Sequence, residues 1–178
     1  MYLTNSIIER GRIMRIFKYL AVGLLMPAVF SISTLQADSM PGTVASAEEA
    51  EAVYAARSDF MKGMGGSMRA FSNYLKRDEG EPLELGGMAA EIAARAGEIP
   101  GLFPKDTGLE QNLESEAKSN IWEEWSDFVA AAEGLVEPAK AVEAAFDSGD
   151  KGAIGQAVKS LGGDGCKGCH SQFRQPKE

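Results

Sequence analysis

The chain has 178 residues, with 18 Lys and Arg against 26 Asp and Glu, for a formal net charge of −8. Apolar residues make up 44% and charged residues 25%, which excludes a disordered chain and suits one globular domain. The acidic balance excludes a nucleic-acid binder and gives no attraction to an anionic membrane surface.

The N-terminal stretch differs from the rest. Arg10, Arg12, Arg15 and Lys18 precede an uncharged apolar run, Tyr19 to Leu35, which ends in small residues at "STLQA". That order is a basic region, an apolar region and a cleavage site, the pattern of an export signal. Met14 is the more usual start, so residues 1–13 read as an upstream extension or a mis-assigned start. Cleavage is expected after Ala37. The rival site, "ASA" ending at Ala47, would remove Ser46, which with Glu49 forms a capping box opening a helix. An uncleaved anchor is the other reading, but the run falls slightly short of the roughly 20 residues a span needs, and Pro27 interrupts it. The expected organisation is therefore an extension and cleaved signal over 1–37, a flexible segment over 38–47 and a globular unit over 48–178. Removing 1–37 leaves 14 basic and 25 acidic residues, a net −11. Such a chain is expected in the periplasm, free of the membrane after cleavage. It favours protein partners that carry a basic docking patch.

No strand is expected, because period-2 alternation is missing. Four helical stretches follow in order. The first covers about 46–77, with Val53, Phe60, Met61, Met64, Met68, Phe71 and Leu75 at three- and four-residue steps. The second covers about 82–98, opened by Pro82, stopped by Pro100, and facing inward through Leu85, Met88, Ala89, Ile92 and Ala96. The loop "PGLFPKDTG" comes next. The third covers about 115–147, kinked at Pro138 and closed by Gly149. The fourth covers about 150–173, with Ile154, Val158 and Leu161 inward. This predicts an all-α, antiparallel four-helix bundle. Gly65, Gly66, Gly162, Gly163 and Gly165 lie inside these helices, each costing roughly 1 kcal/mol relative to alanine. Either the helices break there, or something bulky needs close backbone; a flat cofactor between the first and fourth helices would be such a group.

The chemistry is concentrated in "CKGCH". It holds both cysteines, Cys166 and Cys169, and the only histidine, His170. C-x-x-C-H is the pattern of covalent haem attachment. Two thiols three residues apart add to the two porphyrin vinyl groups, and the next residue offers an imidazole to iron. A disulfide this tight closes almost no loop and stabilises little. A thioredoxin-like dithiol needs a preceding strand, and a zinc site needs a fourth ligand. One haem c per chain is therefore expected.

With its C-terminal "CKGCHSQFR", its loop "IPGLFPKDTG", its "NIWEEWSDF" and its "ARSDFMKGMG", the sequence resembles the class II cytochromes c over about residues 48–178. These are cytochrome c′ and its low-spin relatives. The resemblance implies a four-helix bundle with the haem motif at its C-terminal end. It implies that Met61 faces the distal side of the haem, with Met64 one turn along as a substitute. Arg57, one turn before Met61, and Arg174, one turn after His170, then fall near the haem as propionate contacts or as positive charge near iron. Spacing alone also allows Met61 to be core filler, both arginines to be surface residues, and Trp122 and Trp125 to be core.

With one histidine, bis-histidine ligation within a chain is impossible. The leading expectation is a periplasmic monohaem electron carrier in electron transport, not an enzyme, with Met61 as sixth ligand. The alternative is a five-coordinate cytochrome c′ that binds NO or another small gas. Related bundles pair through their first two helices, so a homodimer is a further expectation of the resemblance.

Overall fold

The computed structural model describes residues 39–111 and 114–176. The expected signal peptide and extension over 1–37 lie outside them. Among the described residues no helix is long and apolar enough to cross a membrane.

Helix α1 (Ala47–Arg77) opens where the capping box predicts. Ser46 is extended, and its hydroxyl accepts from the Glu49 amide at 3.1 Å. The return contact reaches one residue further back than a capping box, since the Ala45 amide donates to the Glu49 carboxylate at 2.6 Å. Glu48 and Glu49 in the first turn and Lys76 and Arg77 in the last suit the helix dipole. Asp78, at φ 56°, turns the chain. Helix α2 (Pro82–Arg95) starts with proline in its first turn, where a missing amide is harmless, and tightens into 3₁₀ turns at Ala96–Glu98 and Pro100–Leu102. The segment before α1, expected to be flexible over 38–47, is tied down. Met40 packs on the core, and Gly42 and Val44 pair with Lys105 at 3.2 and 3.4 Å.

The third rod differs from the single kinked helix expected over 115–147. It begins at α3 (Asn120–Glu123), breaks at Glu124 (φ −112°, ψ 44°), and continues as α4 (Trp125–Glu133) and α5 (Val136–Ser148). Pro138 lies in the first turn of α5. A proline ring crowds the carbonyl four residues earlier, here Gly134, and that is where α4 has ended. Gly149, at φ 68°, closes α5 as predicted.

The fourth rod starts at α6 (Lys151–Ser160), capped by the Asp150 carboxylate on the Gly152 and Ala153 amides at 2.7 and 3.1 Å. It does not break at its glycines. It widens into a π segment (Leu161–Lys167) and returns to α7 (Gly168–Phe173). The Gly168 amide reaches back five residues to Gly163.

Helix α1 packs on α2 and α6, and α5 packs on the other sides of both, which closes a ring of four rods. This is the four-helix bundle the periodicity predicts. Phe71, Phe128, Ile121, Ile154, Leu161 and Val142 are fully buried at its centre, each burial contributing about 2 kcal/mol. Met88, expected inward, is instead on the surface. Among the described residues the only β pairings are two isolated bridges, Thr43 with Lys105 and Ala117 with Arg174.

Candidate functional site: the Cys166–His170 turn

The π segment brings backbone close to two neighbours. A Cβ at Gly165 would lie 2.9 Å from Leu135 Cδ2, and one at Gly162 would lie 3.2 Å from Met68 Cε. A side chain would therefore crowd Met68 on the side that faces α1 and Leu135 on the side that faces the third rod. Cys166 is the next-to-last residue of this widened turn and Cys169 the second of α7, so the two thiols straddle the return from π to α winding.

Both thiols are free and half-buried. Burial pushes the Cys166 thiol up; burial, and then Cys166 itself, push Cys169 up to about 11. Both are therefore protonated at neutral pH and poor nucleophiles. His170 has an exposed face. Enough protein surrounds the ring that burial, followed by Arg174, lowers its affinity for a proton, while Glu116 raises it. A neutral imidazole is the form that ligates a metal.

On α1, Met61, Met64 and Met68 are half-buried and pack against the same core cluster as Cys166 and Cys169. Arg57 is 6% exposed. Its Nη1 donates to Thr107 Oγ1 at 3.1 Å and the Leu102 carbonyl at 3.4 Å, and its Nη2 to the Thr107 carbonyl at 2.8 Å and Ser115 Oγ at 2.9 Å. The guanidinium also lies over Phe103, 4.6 Å from the ring centroid. Burial in this setting, opposed by Tyr54, lowers it to about 10. The hydrogen bonds of Arg57 thus run into the 102–115 loop. Those of Arg174 run to Glu116, an ion pair at the protein surface.

Trp125 and Trp122 divide a pair of roles that the sequence left equal. Trp122 Nε1 donates to the Phe103 carbonyl at 2.9 Å. Trp125 Nε1 is buried with no hydrogen-bond partner. Trp125 opens α4, which packs on α7. An orphaned donor of this kind is the group a carboxylate-bearing cofactor would satisfy.

The residues fit a covalently held haem in three respects. Two reduced thiols and a neutral imidazole share one turn, that turn lacks Cβ atoms where neighbours press on it, and a buried indole donor is left over. Sequence reasoning missed two of these participants. Glu116 lies 58 residues from Arg174 in a loop and carries no local pattern. The Trp125 donor became visible only once every neighbouring acceptor was placed.

A closed bundle of four helical rods with C-x-x-C-H in the last rod defines a class II c-type cytochrome. The chain matches the Cytochrome C′ family over residues 52–174, and it belongs to that family. It is 30% identical to a cytochrome c′ of Rhodospirillum rubrum over 152 residues, covering 85% of this chain and 96% of the relative. It is 36% identical to a cytochrome c-556 of Agrobacterium fabrum over 138 residues, covering 72% and 88%. A solved ferrous variant of the Alcaligenes xylosoxidans cytochrome c′ with bound NO shares the fold, with a TM-score of 0.60 at 18% identity, covering 75% of this chain and 99% of that one. Like its family, the chain carries one covalently attached haem c.

Proposed function

We propose that the protein is a periplasmic cytochrome c′ in which Cys166 and Cys169 hold the haem, His170 is its axial ligand, and the opposite face, under Met61, admits a small gas such as NO. The observation that carries this reading is the family match from α1 through Arg174, which includes the distal stretch and the haem turn together. The named cytochrome c′ relative and the NO-bound fold neighbour support it. When bound, the haem supplies a one-electron iron centre with a coordination position for a diatomic ligand.

The chain's own residues do the rest. Cys166 and Cys169 would hold the haem, each by addition of its S–H across one vinyl group, a step that needs no oxidant and leaves a link that does not dissociate. The raised thiol pKa values count against a dithiol oxidoreductase, which needs a ready thiolate. His170 would hold one side of the iron, Met61 and Met64 would cover the other without supplying a charge, and Trp125 Nε1, buried without a partner, would be a donor for a haem carboxylate. Arg57 keeps the 102–115 loop on the distal helix, and any propionate contact it makes uses the Nε donor left over from that loop. No substrate is turned over.

A second reading rests on Met61 itself, half-buried on α1 against the same core cluster as Cys166 and Cys169: a six-coordinate electron carrier with Met61 sulfur on the iron and a basic-patched redox partner. The absorption spectrum separates the two. Material from a host competent in cytochrome maturation is expected to be red, with pigment that survives denaturation, and to show high-spin iron that binds NO and carbon monoxide. Met61→Ala is then expected to leave the spin state unchanged and speed gas binding. A low-spin spectrum that Met61→Ala converts to high-spin establishes the carrier instead. Colourless protein with free thiols refutes both.

A further inference from the structure

Glu116 has no part in the haem motif, yet two contacts of its own, one from its carbonyl and one from its carboxylate, tie it to the residues just beyond that motif. The segment Glu116–Lys118 runs antiparallel to 173–175. The Lys118 amide donates to the Phe173 carbonyl at 3.1 Å, and the Gln175 amide to the Glu116 carbonyl at 2.7 Å. Around that zipper the Lys118 ammonium bonds the Gln172 carbonyl, and the Arg174 Nε bonds the Glu116 carboxylate. Arg174, the extended residue that ends α7, is four residues beyond His170, and its amide bonds the His170 carbonyl at 3.1 Å, which ties it to the haem turn.

We propose that Glu116 is a positioning residue for the haem: it holds the Arg174 guanidinium to the 116–118 segment, so that the iron beyond His170 faces a closed ion pair rather than a bare cation. This rests on His170 being the axial ligand, as proposed above. Both charges lie beside the haem turn, since Arg174 is bonded through its amide to the His170 carbonyl and through its Nε to the Glu116 carboxylate. A carboxylate near iron favours the more positive ferric state, and a guanidinium favours the ferrous state. Paired, they nearly cancel. Released, Arg174 is free to turn toward the haem and its full charge acts on the iron.

The test is the reduction potential of the haem-loaded full chain, read by spectroelectrochemical titration in a double-mutant cycle. Glu116→Gln is expected to move the ferrous-to-ferric ratio at fixed solution potential roughly three- to tenfold toward ferrous, as for a nearby, partly screened charge. A tenfold change corresponds to about 59 mV for one electron. Glu116→Asp, which keeps the charge, is expected to stay close to wild type. In an Arg174→Gln background the same Glu116→Gln change is expected to have a clearly smaller effect, because no guanidinium remains to be released. Equal shifts in the two backgrounds overturn the proposal, since Glu116 then acts by its own charge and positions nothing. An unchanged Glu116→Gln potential also overturns it. Should Glu116→Gln fail to retain haem, Glu116→Ala, which also removes the charge, gives the same comparison in the two Arg174 backgrounds. A wild-type protein without covalent pigment refutes the axial-ligand reading itself, before any potential is measured.

Discussion

Helix α1 and the last rod both carry glycines in their middles, yet only one departs from α winding. Gly65 and Gly66 lie within 31 continuous α-helical residues, and a Cβ there would meet only the Arg69 side chain, at 3.6 and 3.7 Å. Gly162 and Gly165 lie where Met68 and Leu135 press on the backbone, and there the rod becomes a π segment. Glycine permits a departure from the α-helix, and the neighbours decide whether one happens. The two rods also hold their arginines differently. Arg57 is buried among neutral oxygens and an aromatic ring, whereas Arg174 is held at the surface by a carboxylate.

That contrast is sharpest at the arginines. Arg57→Met removes hydrogen bonds to the Leu102 and Thr107 carbonyls and to the Thr107 and Ser115 hydroxyls, and is expected to cost about 3 kcal/mol in denaturant unfolding, since hydrogen bonds to a charged group are worth about 1.5–3 kcal/mol. Arg174→Gln, at an exposed pair, is expected to cost at most about 1 kcal/mol. Equal losses would mean that burial does not separate the two. At the glycines, Gly165→Ala forces a methyl against Leu135 and is expected to cost about 1–2 kcal/mol, as overpacking does. Gly65→Ala meets only an ordinary contact and is expected to stabilise by up to about 1 kcal/mol. A Gly165→Ala protein as stable as wild type would show that Leu135 gives way freely.

A further contrast concerns the thiols before haem attachment. A thiol whose folded pKa lies above its unfolded value keeps its proton longer in the folded state. The stability it contributes is present below the unfolded pKa and is lost as pH rises through the folded one. For Cys169 that window runs from about 9 to about 11. The haem-free chain is thus expected to lose stability modestly across that range. Its alkylation by iodoacetamide at pH 8 is expected to be slower than that of the unfolded chain. Equal alkylation rates would place these thiols in solvent.

Local signals in the sequence were reliable where local physics decides the outcome. Ser46, Pro82, Gly149 and Asp150 mark helix ends because a cap or a left-handed residue acts within one turn. The C-x-x-C-H turn was readable for the same reason, as its spacing is its chemistry. The break at Glu124, the π winding and the partners of Arg57 were not readable. Each is decided by contacts between segments far apart in the chain: Arg57 meets Thr107 across 50 residues, and Arg174 meets Glu116 across 58. Met88 has the correct period for an inward residue, yet it falls at the edge of the stripe, where the neighbouring rod no longer covers it.

The wide turn at Leu161–Lys167 also bears on how this rod tolerates changes in length. A π segment takes up one more residue per turn than α winding does, so an added residue is swallowed without swinging the far end of the rod around its axis. Ile154 and Val158 on one side and Phe173 on the other all still point into the bundle. A chain shortened by one position at Gly163, whose missing side chain touches nothing, is thus expected to rewind as plain α-helix with His170 aimed as before.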